Sequence, residues 1–530
     1  MRTRRPRRRA ERAAALLLCL TLLLWTVPAG ATNVESTLTV GIQSTKTTQL
    51  DPLNPKERDL VSVYSLVYES LIRIDDDYLP EGLLAESWES SSNGRTWTFH
   101  LRKNVTFSDG QALTARDVVA TIEYILERAN DENSADKGYY QNLKYYVDSA
   151  TAKDDQTVVI RATSERSYWG FLYAMTFPVV PADRVNTYDP PGSGAYMVES
   201  FQAGSHLELV TNPYWWKNQP QVKSISLLIH ETPKKVMESY EYARVNTIFT
   251  RSIAAAQYKS GATSLAIDYR TDQLECLLMN HSYTKLASVN VRKAIRLVVD
   301  ADKIASNVYG GMVDRTNTPY PNGTWMYNSN VDSSYYTDVE EAKRLLEEDG
   351  WSDSNEDGVL DKLDDNGELM SLRLNLYVYE EPDDNVRVAT ADLIVDWLAE
   401  IGIEVTTTTM TYTSIQEKLS AGSFHLALVS YAMDRTPDYG FLLMSGNTGN
   451  YSRYRSSTMT SLCKKLRTCQ DQNSFQNVLY DIQTQFTEDC PFICLFYRCG
   501  VVLTKKMYTT ARDVREKELL RGIEDFTSGN

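Results

Sequence analysis

Oxygen-bearing side chains recur in the segment D-S-N-E-D-G-V-L-D, residues 353–361. Calcium loops of the helix–loop–helix type place their ligands at positions one, three, five, seven, nine and twelve, with glycine at position six. Gly358 occupies position six, and position seven contributes a backbone carbonyl. We therefore predict a structural calcium site with the ligands Asp353, Asn355, Asp357, Val359, Asp361 and Asp364. Position twelve lacks the usual bidentate glutamate, which weakens the site, and an ion-free surface turn is the alternative.

A second candidate site lies in residues 425–443, H-L-A-L-V-S-Y-A-M-D-R-T-P-D-Y-G-F-L-L. The pattern predicts an apolar strand that ends at Tyr431, a loop that carries Asp434, and a helix that begins near Tyr439. Ligands in open α/β sheets bind outside the carboxyl ends of the strands. We therefore predict a ligand site formed by Tyr431, Met433, Asp434 and Arg435. The alternative is that Asp434 only caps the following turn.

No arrangement typical of an enzyme accompanies these segments. The five histidines, at positions 100, 206, 230, 281 and 425, are scattered and form no H-E-x-x-H motif. The sequence also lacks a G-x-S-x-G elbow and a phosphate-loop lysine. We therefore expect a binding protein, not an enzyme. A secreted hydrolase is the alternative, and it would need a catalytic dyad that the sequence does not reveal.

The bulk properties indicate a multidomain protein that does not bind nucleic acid. A chain of 530 residues is too long for a single core, so two or three domains are expected. The formal net charge of −15 argues against a nucleic-acid partner. Six cysteines follow residue 31 without zinc-site spacing, so buried free thiols are favoured for Cys276 and Cys494, and the pairing of the others stays open.

Residues 1–31 are predicted to be a secretory signal, so the mature protein is expected to be exported, either periplasmic or at the cell surface. Seven arginines precede an almost wholly apolar run, residues 13–25, and Ala29-Gly30-Ala31 fits a small-x-small cleavage site. An uncleaved anchor is the alternative, because residues 13–31 could just span a bilayer. Cys19 lies inside the apolar run, so lipidation there is not expected.

The stretch 84–126 predicts a strand, a tight turn, a second strand and a capped helix. Residues 97–101 alternate apolar and polar side chains, which is typical of a half-buried strand. Asn93-Gly94 tolerates positive φ and supplies the turn. Thr114, with Asp117 three residues later, predicts a variant capping box at the start of the helix.

This stretch closely resembles the signature of family-five extracellular solute-binding proteins, the receptors that feed ABC importers. The shared residues are Leu84, Ala85, Ser87, Trp88, Trp97, Phe99, Leu101, Arg102, Val105, Phe107, Asp109, Gly110, Thr114, Ala115, Asp117 and Val118. A second block resembles the family's G-T-G-x-Y and N-x-x-Y-W patterns through Gly192, Gly194, Tyr196, Asn212, Tyr214 and Trp215. Tyr214 and Trp215 stand one residue closer to Asn212 than in the second pattern. The resemblance implies an α/β fold of the periplasmic-binding-protein type, with two lobes, mixed sheets and a hinge between the lobes.

The resemblance also predicts how the chain is divided between the two lobes. Lobe I is expected over residues 32–268, including a strand-rich subdomain, and lobe II over 269–490, before 491–530 returns to lobe I. Alternation of strands and helices from about residue 270 predicts a mainly parallel sheet in lobe II. The pattern further predicts a helix over 61–71 and another over 386–401. Asn290 and Asp338 are expected to cap two other helices.

The resemblance implies that the protein binds short peptides and delivers them to the membrane permease subunits of an ABC importer. Peptide-binding members carry an aspartate in a D-Y-x-x-P-like loop, followed by F-L, and this aspartate pairs with the α-ammonium of the peptide. Asp434, with Phe441-Leu442 seven and eight residues later, resembles that arrangement, although Arg435 stands at the usual tyrosine position. No cofactor is expected to be required. Other members bind nickel chelates, haem or oligosaccharides, so these ligands and a tethered sensor remain alternatives.

Overall fold

The computed structural model describes residues 37–163, 168–259, 264–364, 366–381, 385–433, 436–505 and 514–525. The β-strands are Thr37–Gln43, Ile72–Ile74, Pro80–Gly82, Ala85–Ser90, Thr96–Leu101, Val147–Asp154, Thr157–Ala162, Tyr196–Gln202, His206–Thr211, Ser224–His230, Thr247–Thr250, Leu265–Met279, Val313–Arg315, Asp361–Leu363, Leu369–Ser371, Arg373–Tyr379, Glu404–Met410, Leu426–Ala432 and Phe492–Thr504. The α-helices are Arg58–Val67, Ala115–Asn130, Tyr168–Ala174, Pro233–Glu241, Thr284–Ala287, Val289–Val298, Ala301–Asn307, Val339–Glu348, Val386–Ala399, Tyr412–Ala421, Gly440–Leu443, Ser457–Leu466 and Gln472–Asp489.

Eleven of the described strands form one mixed sheet that extends through both halves of the molecule. Arg373–Tyr379 pairs in parallel with both Glu404–Met410 and Leu426–Ala432. Leu426–Ala432 in turn runs antiparallel to Leu265–Met279. The predicted mixed sheets are therefore confirmed, and the parallel pairing predicted for lobe II holds among its strands Arg373–Tyr379, Glu404–Met410 and Leu426–Ala432. The antiparallel pairs of the sheet in this half come from long strands that cross between the halves.

Two long antiparallel strands, Leu265–Met279 and Phe492–Thr504, run from one half of the molecule to the other, and we call them the crossing strands. Residues 265–270 pair with 499–504, and residues 274–278 pair with 492–497. The register shifts between Arg270 and Leu274, where the ladder is interrupted.

Separate hydrophobic cores surround the two ends of the crossing strands. Tyr269 and Val502 belong to a core built largely from residues 38–227. Leu277 and Phe496 belong to another core, built from residues 277–496. The chain thus folds as two α/β lobes joined by crossing strands, as predicted. The boundary at 268/269 falls inside the first crossing strand, and the exact domain limits stay a prediction.

The strand–turn–strand–helix signature of lobe I is confirmed. Ala85–Ser90 and Thr96–Leu101 form an antiparallel pair, and Gly94 adopts a positive φ of 66° in the turn between them. At the helix start, the backbone N–H and the hydroxyl of Thr114 both donate to the Asp117 carboxylate, at 2.7 and 3.0 Å. The capping box predicted from Thr114 and Asp117 is therefore confirmed.

Gly192 and Gly194 allow the backbone to approach the last turn of the helix Arg58–Val67. A Cβ atom on Gly192 would lie 1.9 Å from the Val67 carbonyl oxygen, a distance that no side chain can tolerate. The Gly194 N–H donates to the same oxygen at 2.9 Å. Close packing onto this helix end therefore explains the two glycines.

Several helix ends differ from the prediction. The first helix stops at Val67 and not at Leu71, because the Leu71 carbonyl accepts from the backbone N–H groups of Leu83 and Ala85. Ser288, not Asn290, caps the helix Val289–Val298 through its side-chain oxygen. The predicted Asp338 cap is confirmed, since its carboxylate accepts from the Glu341 N–H at 2.9 Å.

Within the described ranges, no helix is both long and apolar enough to cross a membrane. The predicted signal, residues 1–31 with Cys19, lies outside the described residues. The six later cysteines are free thiols, and Cys276 lies directly opposite Cys494 on the two crossing strands.

Candidate ligand cavity between the lobes

A cavity of about 450 Å³ lies where the two lobes meet the chain's C-terminal part. Its volume falls within the usual range for small-molecule sites, about 300–1,000 Å³. Aromatic rings and charged groups of both signs are prominent in its wall. Among its lining residues are Tyr64, Glu69, Arg73, Tyr139, Tyr140, Tyr146, Tyr173, Trp215 and Lys217 from lobe I, Ala432, Met433 and Thr436 from lobe II, and Lys517, Glu518, Arg521 and Glu524 from the C-terminal part.

The strand end predicted to carry the site does reach this cavity. The strand Leu426–Ala432 ends beside it, and the N–H of Met433 donates to the Asp272 carbonyl at 2.7 Å, which ties the strand end to a crossing strand. Met433 therefore lies where the sequence predicted a ligand-site residue. Ala432 and Thr436 line the cavity as well, and the sequence missed them.

Tyr431 takes a different position. Its side chain is buried in the core of lobe II, it is not among the lining residues, and its hydroxyl donates to the Gly449 carbonyl at 2.9 Å. Asp434 and Arg435 lie outside the described residues. Their ligand role therefore stays a prediction, and the described neighbours Met433 and Thr436 place the ends of that loop at the cavity.

Glu69 is a buried carboxylate in the cavity wall, with only 5% of its surface exposed. The indole N–H of Trp216 donates to its two oxygens at 2.8 and 3.1 Å, and the hydroxyl of Ser193 donates at 3.1 Å. The indole of Trp215 contributes a longer contact of 3.4 Å. Burial raises the pKa of the Glu69 carboxyl, although the indole hydrogen bonds and nearby Lys217 oppose this shift. The Tyr214-Trp215 part of the family-like block was the available signal for these donors, and the sequence analysis assigned it no ligand role.

The cations of lobe I in this wall already have partners. Lys217 lies over the rings of Trp215 and Trp216, with its ammonium 5.5 and 4.9 Å from their centres. Such contacts favour a cation that is partly removed from water. Arg73 pairs with Glu81 at 2.8 Å.

A segment near the C-terminus, residues 514–525, forms another wall of the cavity, and we call it the C-terminal strap. Arg521 is 8% exposed and donates to the Ile74 carbonyl at 2.9 Å, and it also pairs with Asp76 and Glu518, each at 3.1 Å. Lys517 pairs with Asp272 of the first crossing strand at 2.6 Å. The sequence had predicted only that this part of the chain returns to lobe I, so these cavity residues were missed.

In the predicted calcium loop, side-chain oxygens accept hydrogen bonds from backbone N–H groups of the loop itself. The two oxygens of Asp353 accept from the N–H groups of Asp357 and Gly358, at 3.2 and 3.0 Å. Asp357 also pairs with Arg373 at 3.0 Å. Asp361 is 1% exposed, and one of its oxygens lacks a hydrogen-bond partner.

Asp364 lies in the next turn, where its carboxylate accepts from the N–H groups of Asn366 and Glu368. Among the described residues, no three His, Cys, Asp or Glu side chains come close enough together to hold a metal ion. The loop in this arrangement does not present a complete calcium shell, and calcium binding stays a prediction.

Two lobes with a cavity between them, lined by charged and aromatic groups, are the architecture of a two-lobed binding protein. The sequence itself then specifies the family. Residues 80–453, well over half of the chain, match the family described as bacterial extracellular solute-binding proteins, family 5. The protein belongs to this family, as the resemblance of its signature residues implied.

Relatives with different ligands share most of the chain's length. The oligopeptide-binding protein AppA of Bacillus subtilis is 22% identical over 462 residues, which cover 82% of this chain and 81% of AppA. Heme-binding protein A of Haemophilus influenzae is 24% identical over 413 residues, 72% of each chain. The nickel-binding periplasmic protein of Escherichia coli is 22% identical over 392 residues, 70% of this chain and 72% of that protein.

Solved structures of similar proteins have the same fold. AppA from Bacillus subtilis, in complex with a nonapeptide, superimposes with a TM-score of 0.66 at 20% identity and covers 92% of this chain and 98% of its own. The ABC transporter substrate-binding protein CtaP from Listeria monocytogenes gives a TM-score of 0.77 at 20% identity, with the same coverage. At this level of identity, the similarity establishes the fold alone.

Proposed function

We propose that this protein is the extracytoplasmic receptor of an ABC importer and that it binds a short peptide in the cavity between its lobes. The observation that carries the proposal is the charge pattern of the cavity wall. Acidic groups such as Glu518 and Glu524 and basic groups such as Lys217 and Lys517 line one cavity together with aromatic rings. A short peptide has matching features, because its two ends are oppositely charged and its side chains can pack against rings.

The relatives' names allow haem or a nickel complex as alternative ligands. Among the described residues that line the cavity there is neither a histidine nor a cysteine, the side chains that most often ligate haem iron or nickel. The peptide is therefore the ligand that the described wall fits better.

Within this proposal, Asp434 binds the α-ammonium of the peptide. The loop that carries it begins at Met433, directly beyond a strand end at the cavity. An ammonium group has three donors and forms strong charge-assisted bonds to a desolvated carboxylate. Arg435, its neighbour in the sequence, would contact the ligand or balance the charge of Asp434.

The proposed setting is outside the cytoplasmic membrane, where the family's members act on extracellular solutes. The signal predicted in residues 1–31 would export the chain, either cleaved after Ala31 or retained as an anchor. A closed, loaded receptor would then dock onto the permease subunits of the importer, since delivery is the task of such receptors.

Calorimetric titration of the purified protein tests the proposal. The ligands are a random tripeptide library, the same library with acetylated amino ends, haem, and nickel with histidine. We expect binding of the free-amino library and much weaker binding of the acetylated one. At a ligand concentration of a hundred times the dissociation constant, binding should also raise the free energy of unfolding by about 2.7 kcal/mol. Binding of haem or nickel–histidine without peptide binding would overturn the proposal in favour of those alternatives.

A further inference from the structure

The C-terminal strap lies beyond the part of the chain that matches the family, which ends at residue 453. It nevertheless lines the cavity through Lys517, Glu518, Arg521 and Glu524.

Hydrophobic anchors hold the strap against lobe I. Val514, Leu519, Leu520 and Ile523 are each at most 7% exposed and belong to the core of that lobe. Arg515 stacks on the ring of Tyr78, with its guanidinium carbon 4.0 Å from the ring centre. The strap is thus a packed part of the fold, so its polar side chains are held in defined positions on the cavity wall.

A buried carboxylate joins the strap to the crossing strands. Glu516 is 4% exposed and pairs with Arg58 at 3.1 Å and with Arg251. It also accepts the backbone N–H of Asp272, at the interruption of the crossing-strand ladder. Lys517 follows directly and pairs with the side chain of Asp272. The ammonium of Lys517 is therefore positioned between the strap, the crossing strand and the cavity.

The backbone of Lys517 adopts a positive φ of 70°, in the left-handed region that favours glycine. A lysine is strained there, and glycine would relieve the strain. Such residues cluster at ligand sites, where the side chain is needed despite its unfavourable backbone. Lys517 keeps 25% of its side-chain surface exposed, whereas Arg521 keeps only 7%.

We propose that the C-terminal strap is part of the ligand site and that Lys517 contacts the carboxylate at the C-terminal end of the bound peptide. The inference rests on the proposed function, because it assigns one end of the same ligand. An ammonium carries three donors, so it can hold a ligand carboxylate together with Asp272.

The test measures coupling between Lys517 and the ligand carboxylate. Wild type, Lys517→Met and Lys517→Gly are each titrated with a random tripeptide library and with the same library made as C-terminal amides. Lys343→Met, at an exposed position of the helix Val339–Glu348 in lobe II, is the matched control. For wild type we expect amidation to weaken binding at least tenfold. Both Lys517 variants should lose a similar factor for the free acids and almost nothing for the amides.

A purely structural role predicts a different pattern. If the Lys517 variants weaken binding of acids and amides equally, or bind acids as wild type does, the inference is overturned. Lys517→Gly adds a stability readout, since it removes the strained φ. We expect its melting temperature without ligand to equal or exceed that of Lys517→Met while its affinity for the acids falls. A wild type that binds neither library overturns the proposed function, and with it this inference, whereas the acid–amide patterns above overturn the inference alone.

Discussion

Replacing Glu69 with alanine should destabilise the folded protein far more than replacing it with glutamine. In wild type, Oε1 accepts from both indoles, at 3.1 Å from Trp216 and 3.4 Å from Trp215. Oε2 accepts from Ser193 at 3.1 Å and from Trp216 at 2.8 Å. A glutamine oxygen at the Oε1 position keeps an acceptor for both indoles, whereas the 2.8 Å bond from Trp216 to Oε2 is lost because an amide NH2 group cannot accept it. Its amide nitrogen can donate to the Ser193 hydroxyl, which accepts as readily as it donates.

The expected magnitudes follow from this inventory. Glutamine loses the charge and one arm of a shared bond, so we expect a cost of about 1 kcal/mol. Alanine leaves the Trp216 indole and the Ser193 hydroxyl without their acceptor, and each unsatisfied buried group costs about 1–3 kcal/mol. It also leaves space where the carboxylate was, so the total should be about 3–5 kcal/mol.

Urea unfolding followed by tryptophan fluorescence measures these differences as shifts in midpoint at constant slope. Glu86→Ala, an exposed glutamate on the strand Ala85–Ser90, is the control and should stay within about 0.5 kcal/mol of wild type. Equal losses for glutamine and alanine would refute the acceptor argument and show that the charge itself matters. A loss for alanine no larger than that of the control would refute any structural role of Glu69.

Three further predictions concern other carboxylates. Asp434→Asn should weaken binding of free-amino tripeptides by about 2–5 kcal/mol, measured by calorimetric titration, because it removes one partner of a buried charge pair; equal affinities would contradict the assigned role. Calcium, predicted from the loop spacing, should raise the melting temperature of wild type but not that of the double variant Asp353→Asn, Asp357→Asn. If neither calcium nor chelator changes the melting temperature of wild type, the loop is an ordinary turn. Burial raises the pKa of Asp59 to about 6 from an ordinary value of 3.8, so the folded state binds this proton more tightly and stability from this group falls as pH rises between these values. Asp59→Asn should remove that part of the pH dependence of unfolding, and an unchanged slope would contradict it.

Local patterns predicted much of lobe I and of the helices. The alternation in residues 97–101 and the Asn93-Gly94 turn were sufficient, because strand periodicity and turn residues act over a few positions. The first helix was predicted to extend beyond its actual end, because that end depends on the N–H groups of Leu83 and Ala85, which donate to the Leu71 carbonyl. Those groups come from a later part of the chain, and a local pattern does not contain them.

The candidate site was only partly predictable for the same reason. The strand end at Met433 follows from a local apolar run and a general rule about α/β sheets. Glu69 and Lys517 reach the same cavity from positions hundreds of residues apart in the sequence. Neither carries a spacing motif, so only the fold reveals that they share a wall with Met433.

The interruption of the crossing-strand ladder has a consequence for amide hydrogen exchange. Regular pairing on both sides should protect the backbone N–H groups of 265–270 and 274–278 together with the sheet. The N–H of Asp272 instead depends on a single side chain, Glu516, which is held by arginines of lobe I. Exchange at this one amide should therefore be governed by small departures of the C-terminal strap from the crossing strand. It therefore provides a local measure of how often the strap separates from the crossing strand.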